Sequence, residues 1–139
     1  MSQTLAFDFG LARIGVAVGQ SITQTASPLE TLKANNGVPD WVKVENLLNQ
    51  WRPNKVLVGE PFNMDGSDQA ITLRARKFAN QLHGRFGVQV EMVDERLSSA
   101  AARDELFEFG GFKKLQRSQI DSVAAALILE SWFAHGYGG

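Results

Sequence analysis

Apolar and polar residues alternate in two stretches near the start of the chain. Leu5, Phe7 and Phe9 alternate with Ala6 and Asp8, and Ile14, Val16 and Val18 alternate with Gly15, Ala17 and Gly19. A period of two is that of a β-strand, whose successive side chains point to opposite faces. Between them, Gly10-Leu11-Ala12-Arg13 reads as a hairpin turn. Thr25 to Leu32 supplies a third strand, where Pro28 predicts an edge position or a bulge because proline cannot donate to a ladder. After the turn cluster Asn35-Asn36-Gly37 the period changes. Trp41, Val44, Leu47, Leu48 and Trp51 recur at helical spacing, with Pro39 tolerated near the start and Pro53 closing the segment. Lys55 then leads into Val56-Leu57-Val58-Gly59, a continuous apolar run suited to a strand buried on both faces.

Pro61 to Ser67, including Met64-Asp65-Gly66-Ser67, reads as a loop, and Ile71, Ala75, Phe78, Leu82 and Phe86 form a second helical stripe. Val88, Val90 and Met92 mark a further strand. Ser98 to Phe109 reads as a short helix broken by Gly110-Gly111, and Ser118 opens a last helix carrying Ile120, Val123, Ala124, Leu127 and Ile128. The tail Gly136-Tyr137-Gly138-Gly139 is expected to fray. Three strands, then helix, strand, helix, strand and helices point to an α/β domain with a mixed sheet. The 139 residues suit one domain, 1–139, and no repeat or low-complexity linker divides them.

Composition narrows the classes. With 44% hydrophobic and 21% charged residues the chain falls among globular proteins rather than disordered or membrane ones. It has no cysteine, which removes disulfides, thiolate metal sites and a cysteine nucleophile together and fits a reducing cytoplasm. No signal peptide and no run near the ~18 apolar residues of a membrane span is present, so a cytoplasmic protein without membrane association is expected. The formal net charge is −1, so any face that binds nucleic acid must be local.

Several charged residues stand where charge is costly or exposed to a crevice. Asp8 interrupts an apolar strand, where an uncompensated carboxylate is expensive; it either pairs with Arg13 or lies on a solvated face, or it handles a metal or phosphate. Asp94-Glu95-Arg96 stands at the end of the Val88–Val93 strand, where α/β sheets place ligand groups, although an exposed charged loop would look the same. Asp121 can act as the acid of a capping box with Ser118, yet it shares a helical stripe with Ala125, Ile128 and Trp132 and so leans inward. Arg74, Arg76, Lys77 and Arg85 form either a solvated helix face or a phosphate-neutralising one. No H-E-x-x-H zinc pattern and no G-x-S-x-G elbow is present, and Asp8-Phe9-Gly10 lacks the other motifs of a protein kinase.

Taken together, four segments closely resemble the YqgF family of pre-16S rRNA nucleases, also described as Holliday-junction-resolvase-like. They are Asp8-Phe9-Gly10-Leu11-Ala12-Arg13-Ile14-Gly15-Val16-Ala17-Val18-Gly19, Val58-Gly59-Glu60-Pro61 with Met64-Asp65-Gly66-Ser67, Asp94-Glu95-Arg96-Leu97-Ser98-Ser99, and Ile120-Asp121-Ser122. The resemblance runs from about Leu5 to Trp132. It implies a ribonuclease H-like fold related to the RuvC-type resolvases, and a role in processing the 5′ end of 16S rRNA during bacterial ribosome maturation. RNA, in the form of pre-16S rRNA on the pre-ribosomal particle, is then the expected partner, with branched DNA as the alternative.

Carried over by motif, Asp8, Glu95 and Asp121 are the implied catalytic acids and the ligands of Mg²⁺ or Mn²⁺. Such carboxylates can hold one or two ions, roughly 3.5–4 Å apart where there are two, that activate water and stabilise a leaving oxygen. Arg13 and Arg96 gain a phosphate-binding role beside Arg74, Arg76 and Lys77, because guanidinium pairs two-pronged with phosphate. Two departures from the family pattern stand out. Ala12 occupies a position where a basic or polar residue is expected, and Glu60 replaces an apolar one, which makes it a rival to Glu95 for the second-carboxylate role. A DNA junction nuclease using the same acids, or a ribosome-binding module that cuts nothing, would keep the same fold.

Overall fold

The computed structural model describes residues 3–97 and 117–135. Six strands form one sheet: β1 (Gln3–Asp8), β2 (Arg13–Gln20), β3 (Thr25–Asn35), β4 (Val38–Pro39), β5 (Lys55–Glu60) and β6 (Val90–Asp94), in the spatial order β4-β3-β2-β1-β5-β6. β1 to β4 pair antiparallel, and β5 and β6 extend the sheet in parallel with β1. The sheet is mixed, as the sequence predicts. Helices α1 (Trp41–Trp51), α2 (Ala70–Phe86) and α3 (Arg117–Ala134) cover it.

Alternation in β1 divides the core into two layers. Leu5, Phe7 and Phe9, with Val56 and Val58 of β5, pack against Val44, Leu47 and Leu48 of α1 and Ala75, Phe78 and Leu82 of α2. Ala6 of β1, Ala17 of β2, Leu57 of β5 and Val93 of β6 pack on the opposite face against Ala124, Ala125, Ile128, Leu129 and Trp132 of α3. Val56, Leu57 and Val58 in the middle of β5 form an unbroken apolar run because helices lie on both of its faces. Phe78 centres the first layer, its ring 5.6 Å from Phe7, 5.3 Å from Phe9 and 5.8 Å from Trp41.

Several boundaries differ from the sequence reading for local reasons. β3 runs on to Asn35, and Asn36 and Gly37, at φ 50° and 82°, turn it directly into β4. Two successive positive φ values are what a tight hairpin needs, and Asn-Gly is the pair that tolerates them. Pro39 therefore lies in β4 rather than in the helix, and α1 starts beyond Asp40, whose side chain accepts from the Val42 N–H at 3.0 Å. Pro28 coincides with a register shift in the β2–β3 ladder between Val16 and Ala17, the predicted bulge. The last helix opens at Arg117, so Ser118 lies within it and Asp121 falls in its second turn; the capping-box reading is thereby corrected. The helix expected over 98–109, its Gly110-Gly111 break and the tail 136–139 lie outside the described residues.

Truncating Phe78 to alanine removes the ring that joins β1, α1 and α2 and should cost about 3–5 kcal/mol of folding stability. Urea unfolding of the variant against the parent protein measures it.

Candidate active site

β1, β5 and β6 run parallel, so their C-terminal ends open at one end of the sheet, and β2 starts there. Asp8 is the last residue of β1 and Asp94 of β6, while Glu95 opens the single turn Glu95–Leu97 that follows β6. By alternation with Phe7, Asp8 faces the α3 side of the sheet. It is 2% exposed, so the solvated-face alternative for this carboxylate is ruled out.

Glycines in the two neighbouring strands create the space around Asp8. Gly15 is its antiparallel partner in β2. A Cβ on Gly15 would overlap the backbone carbonyl of Asp121, so α3 comes down onto the sheet at the point where β2 carries no side chain. On the other side, Val58 of β5 pairs with Phe7, and the next residue, Gly59, lies beside Asp8. A Cβ on Gly59 would collide with Glu95 Oε1 and stand 2.8 Å from Ile128 Cδ1. The Glu95 carboxylate thus lies over Gly59 and the Asp121 backbone over Gly15. Glu95 is 4% and Asp121 5% exposed. Neither glycine role is stated by motif spacing alone. The available signal was the run of small residues Gly15, Ala17 and Gly19 on one face of β2, which a closely packed helix requires.

Glu60 is placed differently. It alternates with Gly59 and so points to the α2 side, where its Oε2 accepts from Arg76 Nε at 2.5 Å. It lies on the opposite face of the sheet from Asp8, whereas Glu95 shares the face of Asp8. Three buried carboxylates on one face are oxygen donors of the kind that suit a hard divalent cation. Their chemistry as oxygen donors fits such an ion. Among the described residues, no three acidic or histidine side chains are drawn together into a metal-holding group as they stand.

The basic residues separate into two sets. Arg13, the first residue of β2, donates from Nε to Asp121 Oδ2 at 2.7 Å. Arg96 makes a two-pronged pair with Asp94, Nε to Oδ1 at 3.1 Å and Nη2 to Oδ2 at 2.7 Å, and lies 5.3 Å over the Phe62 ring. The Arg96 guanidinium holds the Asp94 carboxyl below its usual range. Arg74, Arg76 and Lys77 belong to α2, across the sheet from the three acids. Arg76 is bound two-pronged by Asp68, at 3.0 Å for each bond, as well as by Glu60. Arg74 donates to the Asn36 carbonyl of the β3–β4 hairpin, and Lys77 is exposed beside it. The structure therefore does not bring the α2 cations to the acids. Arg76 holds the Phe62–Asp68 loop to the end of β5, a function that the basic run in the sequence does not reveal.

That loop also braces itself. Asp65 Oδ1 accepts from the Ser67 N–H at 2.9 Å and from Ser67 Oγ at 2.6 Å, and the Gly66 backbone at φ 89° closes the turn. The Ser67 hydroxyl, and after it the Ser67 amide, hold the Asp65 carboxyl below its usual range. Between loop and site lies a cavity of about 240 Å³ lined by Phe9, Pro61, Phe62, Gln69, Ile71, Glu95 and Arg96. Glu95 and Arg96 give it a polar side and the two phenylalanines an apolar one.

Gly15→Ala should lower the melting temperature more than Gly59→Ala, because the first clash is with backbone and the second partly with a side-chain end that can swing; thermal unfolding of both compares them. Arg96→Gln should raise the Asp94 pKa toward its ordinary 3.8. With the native pKa depressed, the pair adds stability above pH 3.8 that is lost as pH falls through the lower folded value. Carboxyl NMR titration of parent and variant tests this.

Comparison with known proteins follows the same lines. A protein from Pectobacterium carotovorum named "Putative pre-16S rRNA nuclease" is 60% identical over 129 residues, 93% of each chain. One of the same name from Escherichia coli O157:H7 is 58% identical over 138 residues, 99% of this chain and 100% of that one. Among solved structures, Thermus thermophilus RuvC in complex with a Holliday junction substrate superposes with a TM-score of 0.58 at 19% identity, covering 99% of this chain and 98% of that one. The fowlpox virus Holliday junction resolvase superposes with a TM-score of 0.52 at 15% identity, covering 96% and 99%. These likenesses establish the RuvC-like, ribonuclease H-like fold that the sequence motifs imply. The profile of the RuvX family, described as Holliday junction resolvase, matches residues 2–135, and the chain belongs to that family.

Proposed function

We propose that this chain is a divalent-cation-dependent nuclease that hydrolyses phosphodiester bonds in RNA, acting in the cytoplasm on the 5′ end of pre-16S rRNA. The observation that carries the reading is the burial of Asp8, Glu95 and Asp121 on one face of the sheet, around two glycines that make room for the latter two. The name shared by relatives at 58–60% identity over nearly the whole chain supports the RNA substrate. Membrane association is not part of the reading; no described helix is long and apolar enough to cross a membrane.

Asp8, Glu95 and Asp121 would hold Mg²⁺ or Mn²⁺, which supplies activation of water and stabilisation of the leaving oxygen. The chain's own residues set the conditions for that chemistry. Burial keeps the carboxylates away from bulk water, where their charge acts more strongly on whatever lies beside them. Arg13 and Arg96, both partly open to solvent, offer guanidinium groups at the rim that can grip backbone phosphate in two-pronged fashion. No protein nucleophile is needed, in keeping with a chain that has no cysteine. Glu60, turned to the α2 face and held by Arg76, has a structural part in this scheme.

The family's description favours a second reading, a DNA nuclease acting on a four-way junction through the same acids. One experiment separates the two. The protein is incubated with Mn²⁺ and either a pre-16S 5′-end RNA or a four-way DNA junction, beside Asp8→Asn, Asp121→Asn, Glu95→Gln and Glu60→Gln. The RNA should be cut. Each of the first three variants should lose about 100-fold or more in rate, the loss expected when several kcal/mol of charge stabilisation is removed. Glu60→Gln should retain most activity. Cleavage of the junction alone would transfer the proposal to DNA. Intact binding of RNA by wild type and Asp8→Asn, with no cleavage by either, would leave a ribosome-binding module instead.

A further inference from the structure

We infer that Arg13 and the divalent cation are alternative partners of Asp121, so that cation binding at the carboxylates releases Arg13 to the nucleic-acid phosphate. The inference rests on the function proposed above and adds an order of events to it: cation first, then substrate.

The geometry of the ion pair motivates it. The Asp121 side chain is 7% exposed while that of Arg13 is 40% exposed, so the carboxylate is held inside and the guanidinium reaches it from the solvent side. The recorded bond uses Nε and a single carboxylate oxygen, Oδ2, at 2.7 Å. It does not use the paired edge of the guanidinium that grips a phosphate in two-pronged fashion. Arg13 also has a fixed base and a free end. The Ala34 N–H donates to the Ala12 carbonyl at 2.9 Å and the Gly37 N–H to the Leu11 carbonyl at 2.8 Å, which ties the turn before Arg13 to the neighbouring hairpin. What can move is the side chain, over a few ångströms at the rim of the site.

The charge on Arg13 makes the two occupants of Asp121 compete. A guanidinium and a divalent cation on one buried carboxylate repel each other at short range, where screening by water is weak. Whatever factor the cation takes from the Arg13–Asp121 bond, Arg13 takes from cation affinity, because the coupling is reciprocal. In the cation-free protein Arg13 pairs with Asp121 and offsets part of the cost of burying its charge. Once the cation takes over that task, the same arginine is a free cation beside the cleavage site, available to the substrate.

Mn²⁺ binding, followed by electron paramagnetic resonance without substrate, tests the competition on wild type, Arg13→Gln, Arg13→Lys and Asp121→Asn. Arg13→Gln should bind Mn²⁺ about 10-fold more tightly, within the ~5–150-fold range of such couplings. Arg13→Lys, which keeps the charge, should stay near wild type, and Asp121→Asn should bind more weakly. A second measurement reads the released arginine. A short RNA should bind wild type more tightly when Ca²⁺ is added, and Arg13→Gln should show little of that gain. Equal or weaker Mn²⁺ binding by Arg13→Gln, with binding still lost in Asp121→Asn, would overturn the competition and leave the metal site standing. No Mn²⁺ binding by wild type or Arg13→Gln, or unchanged binding by Asp121→Asn, would remove the metal site and the competition together.

Discussion

The contact on which the rest of the site depends is the meeting of α3 with β2 at Gly15. A helix can approach a sheet this closely only where no side chain intervenes, and the Asp121 carbonyl occupies the space that a Cβ on Gly15 would fill. Because Gly15 is the ladder partner of Asp8, that one contact brings an acid from the far end of the chain beside an acid in the first strand. The opposite end of α3 is fixed separately. Trp132 Nε1 donates to Glu91 Oε2 at 2.7 Å, and Lys55 Nζ donates to Glu91 Oε1 at 2.9 Å. Asp121 and Trp132 are about 16 Å apart along the helix axis at 1.5 Å per residue, so α3 is pinned at two well-separated points and cannot pivot about either.

Much of this arrangement is legible in the sequence wherever a period carries it. The alternation in Leu5–Phe9 gives the strand and the face of Asp8, and the stripe Asp121, Ala125, Ile128, Trp132 gives the inward lean of Asp121, all four residues being buried. Periodicity is silent where both faces are apolar. Val56-Leu57-Val58 is buried on either side, so nothing in that run says which way Gly59 and Glu60 point; only the pairing with β1 and the bond to Arg76 separate Glu60 from the acids. Partners far apart in sequence are equally hidden. Arg13 stands five residues from Asp8 and 108 from Asp121, and it is the distant acid that it holds.

The cations show the same division between charge as composition and charge as position. A basic stretch with no acid in it on α2 leaves a phosphate-binding face open beside a solvated one, but folding spends Arg76 on Glu60 and Asp68 and Arg74 on the hairpin carbonyl of Asn36. The two arginines at the acid end of the sheet, Arg13 and Arg96, each already have a carboxylate. For a molecule of net charge −1, pairing of this kind keeps the local field modest until a stronger ligand displaces one partner.

Pro28 has an effect beyond the bulge it marks. β3 is an eleven-residue strand whose outer side, among the described residues, is paired by β4 only at Ala34 and Asn35. A long bare rim of that kind is a template onto which a second molecule could add its own strand. Proline in its midst has no N–H to offer, the shifted register twists the rim, and exposed Glu30 and Lys33 put charge along it. The same residue that interrupts pairing with β2 thus makes this border a poor seed for aggregation.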